Sequence, residues 1–134
     1  MMRRSITAML ALCGLVSTLG ACAPRYDGFQ CDVLNETPTQ NLCTDQRIEI
    51  ARGEAMVVRL SPQSDSRKEF DESVDIELRP TDPLLVDVRP GLSDDQTIIG
   101  LTLGETTMEV WVDGELESEV TTRIIEAEPS GPND

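Results

Sequence analysis

The cleanest pattern in the chain lies at 74–79, where Val74, Ile76 and Leu78 interleave with Asp75, Glu77 and Arg79. Successive side chains of a strand point to opposite faces, so this segment sends three aliphatics inward and three charges into water. The same period recurs on both sides of it. Arg47-Ile48-Glu49-Ile50 alternates, and Met56, Val58 and Leu60 share one face of the next segment. Leu84, Val86 and Val88 follow, with Asp87 and Arg89 opposite them; Ile98 to Leu103 is a strand broken by Gly100. Thr106, Met108, Val110 and Val112 then oppose Thr107, Glu109 and Trp111, and Val120, Thr122 and Ile124 form the last strand. Turn residues separate these runs: Gly53-Glu54, Pro80-Thr81-Asp82-Pro83, Pro90-Gly91, Gly104-Glu105 and Asp113-Gly114. Asp-Gly between two β runs is the strongest short hairpin signal. The pattern contains no amphipathic helix. About seven short strands of this kind predict an all-β antiparallel sandwich with one face of each sheet in water. Val120 to Ile124 is the strand expected at an open edge, where a partner chain could pair with it.

The N-terminus has a different pattern. Arg3 and Arg4 precede an apolar run from Ile6 to Leu19, interrupted by Ser, Thr and Gly. A cationic start and a short apolar core make an export signal. The run falls short of the roughly 20 apolar residues that span a bilayer. It ends in Leu19-Gly20-Ala21-Cys22, which resembles the lipobox of bacterial lipoproteins. The resemblance implies cleavage after Ala21, a diacylglycerol thioether on Cys22 and acylation of the new amino group. Such acyl chains anchor a protein stably to a membrane. Cys13 is the competing cysteine, but bulky Leu12 precedes it; an ordinary cleaved signal that leaves Cys22 as a thiol is the alternative. Ala23 after the cysteine favours the outer membrane over retention at the inner one.

The chain therefore divides into a signal peptide (1–21), a lipidated irregular tether (22–45), a β-sandwich (46–126) and an acidic, disordered tail (127–134). Cys31 and Cys43 lie within the tether stretch. Outside the cytosol two such cysteines are expected to pair. Because both precede the main strand region, the bridge is expected to pin the tether and not to join sheets as in an antibody domain.

Composition narrows the function classes. The 11 basic residues lose Arg3 and Arg4 with the signal, so nine face 25 acidic ones and the mature net charge is −16. Nucleic-acid phosphates and anionic lipid surfaces both demand Lys and Arg, so neither is an expected partner. The acidity itself serves solubility; its sharper alternative is a cationic partner or a divalent metal. Aromatics are limited to Tyr26, Phe29, Phe70 and Trp111, so the core must come from Val, Ile, Leu and Met, and aromatic-lined sugar or peptide clefts are disfavoured.

With no histidine in the chain, Ser-His and Cys-His nucleophile pairs and His metal sites are absent. No nucleophile elbow or phosphate-binding glycine loop occurs. The expectation is a non-catalytic chain without a cofactor. Calcium is the metal to weigh, through Asp82, Asp87, Asp94 and Asp95 in loops that meet at one end, or through Asp65, Glu69, Asp71 and Glu72. Calcium takes six to eight oxygens, and no EF-hand register is present, so solvated loops are expected instead. Trp111 opposes Met108, Val110 and Val112, which makes it either an exposed contact for a partner or a cover beside Leu116.

The stretch from Ile48 to Ile125 resembles the bacterial Ig-like domains, group 2 in particular. The carrying residues are Gly53, the turn Thr81-Asp82-Pro83 before Val86-Asp87-Val88, and Gly100 and Gly104 leading into Thr106, Met108 and Val110. The family often places a Trp before the polar turn, where this chain has Ile76 and Leu78. The resemblance implies an Ig-like sandwich used for spacing, adhesion or assembly, and brings no catalytic residues with it. The expected function is thus a lipid-anchored envelope module that binds or spaces a protein partner, or an accessory subunit of a secretion or surface assembly.

Overall fold

The computed structural model describes residues 26–64, 74–92 and 94–127. Cys22 and the second acidic cluster, Asp65 to Glu72, lie outside them. The described residues form an all-β fold of nine strands: β1 (Gly28–Val33), β2 (Leu42–Cys43), β3 (Arg47–Ala51), β4 (Ala55–Gln63), β5 (Ile76–Pro80), β6 (Val86–Pro90), β7 (Asp95–Gly100), β8 (Gly104–Val112) and β9 (Glu115–Ile125). They make two sheets, ordered β1-β4-β7-β6 and β2-β3-β9-β8-β5. All neighbours are antiparallel except β3 and β9, which run parallel.

The alternation sorts side chains as it predicts. Ile48 and Ile50, Met56, Val58 and Leu60, Ile76 and Leu78, and Met108, Val110 and Val112 are all buried between the sheets. Glu77 and Arg79 face water. Each buried aliphatic contributes roughly 1.5–3 kcal/mol by leaving water, which is how a core almost without aromatics holds.

Four expectations change. The irregular tether is shorter than 22–45, because Gly28–Val33 pairs with β4 from Gly28↔Gln63 to Val33↔Val58 and buries Phe29 in the core. Gly28 and Phe29 are buried in succession, so the strand does not show the period-two signal. Second, nine strands stand in place of seven. Third, Val120 to Ile124 is no edge: β9 lies between β8 and β3. Its parallel partner runs from Arg47↔Thr121 to Ala51↔Ile125, and a pairing so distant in sequence leaves no turn signal. Fourth, the disulfide does join sheets. Cys31 sits on β1 and Cys43 on β2, which belong to opposite sheets.

Two backbone sites set the geometry. Asp113 and Gly114 have φ of 49° and 81°, the left-handed pair that a two-residue hairpin between β8 and β9 requires. Gly100 ends β7 where β3 crosses toward β4, and a Cβ there would stand 2.5 Å from the Ala51 carbonyl oxygen. Backbone bonds Gly53 N–H to Gly100 O (2.8 Å) and Gly100 N–H to Glu54 O (3.1 Å) lock that corner.

Gly100→Ala is expected to destabilise the fold by about 1–3 kcal/mol through overpacking, read as a lower urea midpoint. Replacing Cys31 and Cys43 by Ser should cost roughly 2–4 kcal/mol; an oxidised wild type no more stable than the double variant would contradict this.

Candidate functional site

The residues singled out by sequence do not converge. Asp82 caps the β5–β6 connection, its Oδ1 accepting the Leu84 N–H at 3.0 Å. Asp94 and Asp95 lie at the other end of β6, beside the β6–β7 turn, and Asp95 Oδ1 accepts from Arg59 Nε at 3.0 Å. Asp87, in β6, accepts from Arg89 at 3.0 Å. The first acidic set therefore spans both ends of the sandwich and does not gather at one, because β6 separates its members.

Trp111 occupies the outer face of the second sheet, opposite Leu116 on β9 and Glu77 on β5. Residue Glu117 is the extra residue of a bulge, which shifts the register between Val110↔Ser118 and Trp111↔Leu116. The indole is half-covered. Arg79 places its guanidinium 4.1 Å from the ring centroid, and the indole N–H donates to Glu109 at 3.1 Å. Arg79 also donates to Glu77 at 3.1 Å, and this hydrogen bond raises its pKa. The result is a fixed stack of Glu77, Arg79 and Trp111 on the surface.

The segment inside the disulfide loop is organised by one carboxylate. Glu54 Oε1 accepts from the Thr39 N–H and from Asn41 Nδ2, each at 3.2 Å, while Oε2 accepts from Thr39 Oγ1 at 2.6 Å. Asn41 Oδ1 in turn accepts the Ala51 N–H at 3.0 Å. Asn35 extends the β1–β4 pairing with its side chain, donating to Ala55 O (2.9 Å) and accepting from Val57 N–H (2.7 Å). These bonds fix the loop against the corner between the sheets, which makes it structural. Nothing in the order of Thr39, Asn41 and Glu54 along the chain announces the network.

The most specific polar feature of the core is Gln96, 8% exposed on β7. Its Oε1 accepts the Leu78 N–H at 2.9 Å and its Nε2 donates to Ile76 O at 2.8 Å. Both groups belong to β5, in the opposite sheet, and point away from β8. A residue of a parallel neighbouring strand would make this same pair of bonds, to the carbonyl of one residue and the N–H two residues on. Gln96 thus stands in for a missing strand along the edge of β5. The signal was readable: in Gln96-Thr97-Ile98 alternation puts Gln96 on the inward face with Ile98. Proline 80 further blunts this edge, since it has no N–H to offer.

Beside Gln96 a groove of about 260 Å³ runs along the seam between β5 and the β6–β7 turn. Ile76, Leu78 and Val88 form its apolar wall, and Asp75, Glu77 and Asp94 its acidic rim. Tyr26, at the same end of the molecule, is held above its ordinary pKa by burial; its hydroxyl lies 3.4 Å from Ser118 Oγ.

Gln96→Leu should lower stability by about 1–3 kcal/mol, because it strands a buried N–H and a buried carbonyl. A denaturant midpoint equal to wild type would show that these bonds contribute nothing.

No family model and no curated protein matches the chain. Among solved structures it is similar to domains 4 and 5 of the S-layer protein SbsC, at 13% identity and a TM-score of 0.48, covering 77% of this chain and 54% of that one. It is also similar to a structure of surface layer protein SbsC domains 1–6, again at 13% identity and a TM-score of 0.48, covering 80% of this chain and 14% of that one. The chain thus spans about half the length of the first structure and a small fraction of the second.

Proposed function

We propose that the chain is a lipid-anchored lipoprotein of the cell envelope whose Ig-like domain is a non-catalytic binding or structural module. The observation that carries this reading is Leu19-Gly20-Ala21-Cys22 placed after Arg3-Arg4 and a short apolar run. Cys22 takes the lipid, and Ala23 directs the protein to the outer membrane.

The Ig-like assignment draws support from strand order. Numbered along the chain without β2 and β3, the strands fall into a sheet of first, second, fifth and fourth, and a sheet of seventh, sixth and third. That is the arrangement of a constant-type immunoglobulin sandwich. Only five residues separate Cys22 from β1, so the first strand lies within about 20 Å of the anchor. A domain held so close to its membrane is displayed there and does not roam on a long leash.

A second reading, an accessory subunit that docks by strand pairing, is favoured by one observation. Among the described residues no strand lies beside the edge of β5, and a side-chain amide bonds to its backbone there.

Radiolabelled palmitate fed to expressing cells tests the anchor. Wild type and Cys13→Ser should incorporate label, and Cys22→Ser should lose it, with globomycin blocking maturation. Wild-type protein that matures without label refutes the anchor.

A further inference from the structure

We infer that the outer face of the four-stranded sheet, in its half farther from the N-terminus, is a self-association surface through which two copies of the chain pair side by side. The inference deepens the binding-module reading and rests on it, naming a second copy as the partner.

Alternation leaves the outer face of a sandwich sheet polar. The five-stranded sheet follows that rule: Arg123 stands between Glu49 and Glu105, and Thr121 beside Thr107. So does the half of the four-stranded sheet nearer the N-terminus, where Arg59 stands between Asp32 and Asp95. The other half departs from it. Met56, Val58 and Ile98 point inward and are fully buried, so Ala55, Val57 and Ile99 point outward, with Ala55 opposite Ile99. Leu34 flanks them on one side, its N–H donating to Val57 O at 2.8 Å. Leu101 flanks them on the other, its N–H donating to Leu85 O at 2.8 Å. Leu34 is 45% exposed and Leu101 43%. Beside Leu101 stands Leu84, 78% exposed, its carbonyl accepting from Thr102 Oγ1 at 3.0 Å. Apolar surface gathered in this way marks an interaction site, whereas leucines exposed singly do not.

Charge selects the occupant. The chain carries a net charge of −14, so two copies repel wherever unpaired acid meets unpaired acid. Around this face the acids are paired. Asp95 is held by Arg59 and Asp87 by Arg89, each at 3.0 Å, and Glu126 by Arg52 at 2.7 Å. A basic partner gains little from carboxylates already neutralised, while an equally apolar and neutral surface fits, and every copy carries one.

Position fits the same occupant. β1 begins opposite Gln63, at the far end of β4 from Ala55. A patch on the side of the sandwich therefore lets two copies meet about a two-fold axis that runs along the strands. Both N-termini then leave in one direction, toward the single membrane in which Cys22 would hold them. A two-fold contact uses the same surface twice and closes at two. The patch covers only part of one sheet face, short of the roughly 800 Å² per partner of a standard stable complex. The pair is accordingly weak in solution and gains from confinement to one membrane.

Sedimentation of the oxidised chain from Cys22 onward, carrying Cys22→Ser, tests the pairing with every described residue kept. At near-millimolar protein it should form dimers and nothing larger. Added sodium chloride should tighten them, because salt screens the repulsion between acidic copies and spares the apolar contact. Combining Val57→Thr, Ile99→Thr and Leu101→Ser, which leaves the charge unchanged, should weaken pairing by about tenfold or more. Leu84→Ser alone, at a side chain too exposed to support the fold, should weaken it by about threefold. Combining Leu92→Ser with Leu116→Ser, exposed leucines away from this face, should leave it unchanged. A monomer at every salt concentration overturns the proposal and leaves the face to a different protein. Equal weakening by the two combined variants, pairing that salt dissolves, or assembly that continues past two overturns it as well. Because the sample carries no lipid, its failure leaves the anchor standing, and a failed anchor leaves the pairing in solution standing.

Discussion

The fold rests on two sheets pressed together by unbranched and branched aliphatics, and on how the two sides of that sandwich are closed. On one side Cys31 and Cys43 tie β1 of the first sheet to β2 of the second. On the other, the Gln96 amide ties β7 of the first sheet to β5 of the second. One closure is covalent and the other is a pair of hydrogen bonds. A small sandwich buries a limited fraction of its surface, so such closures carry weight that a larger core would not need.

This asymmetry bears on dynamics. The disulfide side is reinforced by Glu54 and the residues it gathers, Thr39 and Asn41, and by the backbone corner at Gly100. The Gln96 side opens onto a groove with an acidic rim. Exposed strand edges invite pairing with other chains, and proteins commonly blunt them. Here Pro80 and the Gln96 amide blunt β5.

Much of the fold was legible in the residues. Period-two runs located β3 to β6, β8 and β9, and Asp113-Gly114 marked the hairpin between β8 and β9, whereas the strand expected over Ile98 to Leu103 runs instead from Asp95 to Gly100. What remained hidden has a common cause. β1 packs Gly28 and Phe29 in succession and gives no alternation. The parallel pairing of β3 with β9, and the disulfide that joins β1 to β2, depend on chain segments meeting across the domain. Local pattern carries no information on such meetings, which is why the last strand read as an edge. The site was less legible. Gln96 held an inward position in its strand, a visible clue, but that its amide would reach the opposite sheet depended on which strand faced it. Trp111 was rightly placed on the outer face, while its cover by Arg79 required the β5–β8 register.

Function then follows from position. Under the lipid anchor proposed above, the few residues after Cys22 would hold one end of the sandwich near a membrane. The claim at the centre is that Gln96 closes the β5 seam in place of a strand. Amide hydrogen exchange, followed residue by residue by NMR, tests it most directly. The Leu78 N–H points away from β8 on an edge strand, yet it should exchange slowly in the wild type and lose protection in Gln96→Leu, while the Glu77 N–H, turned toward β8, keeps its own. A Leu78 amide that exchanges in the wild type as fast as an exposed one would contradict the account.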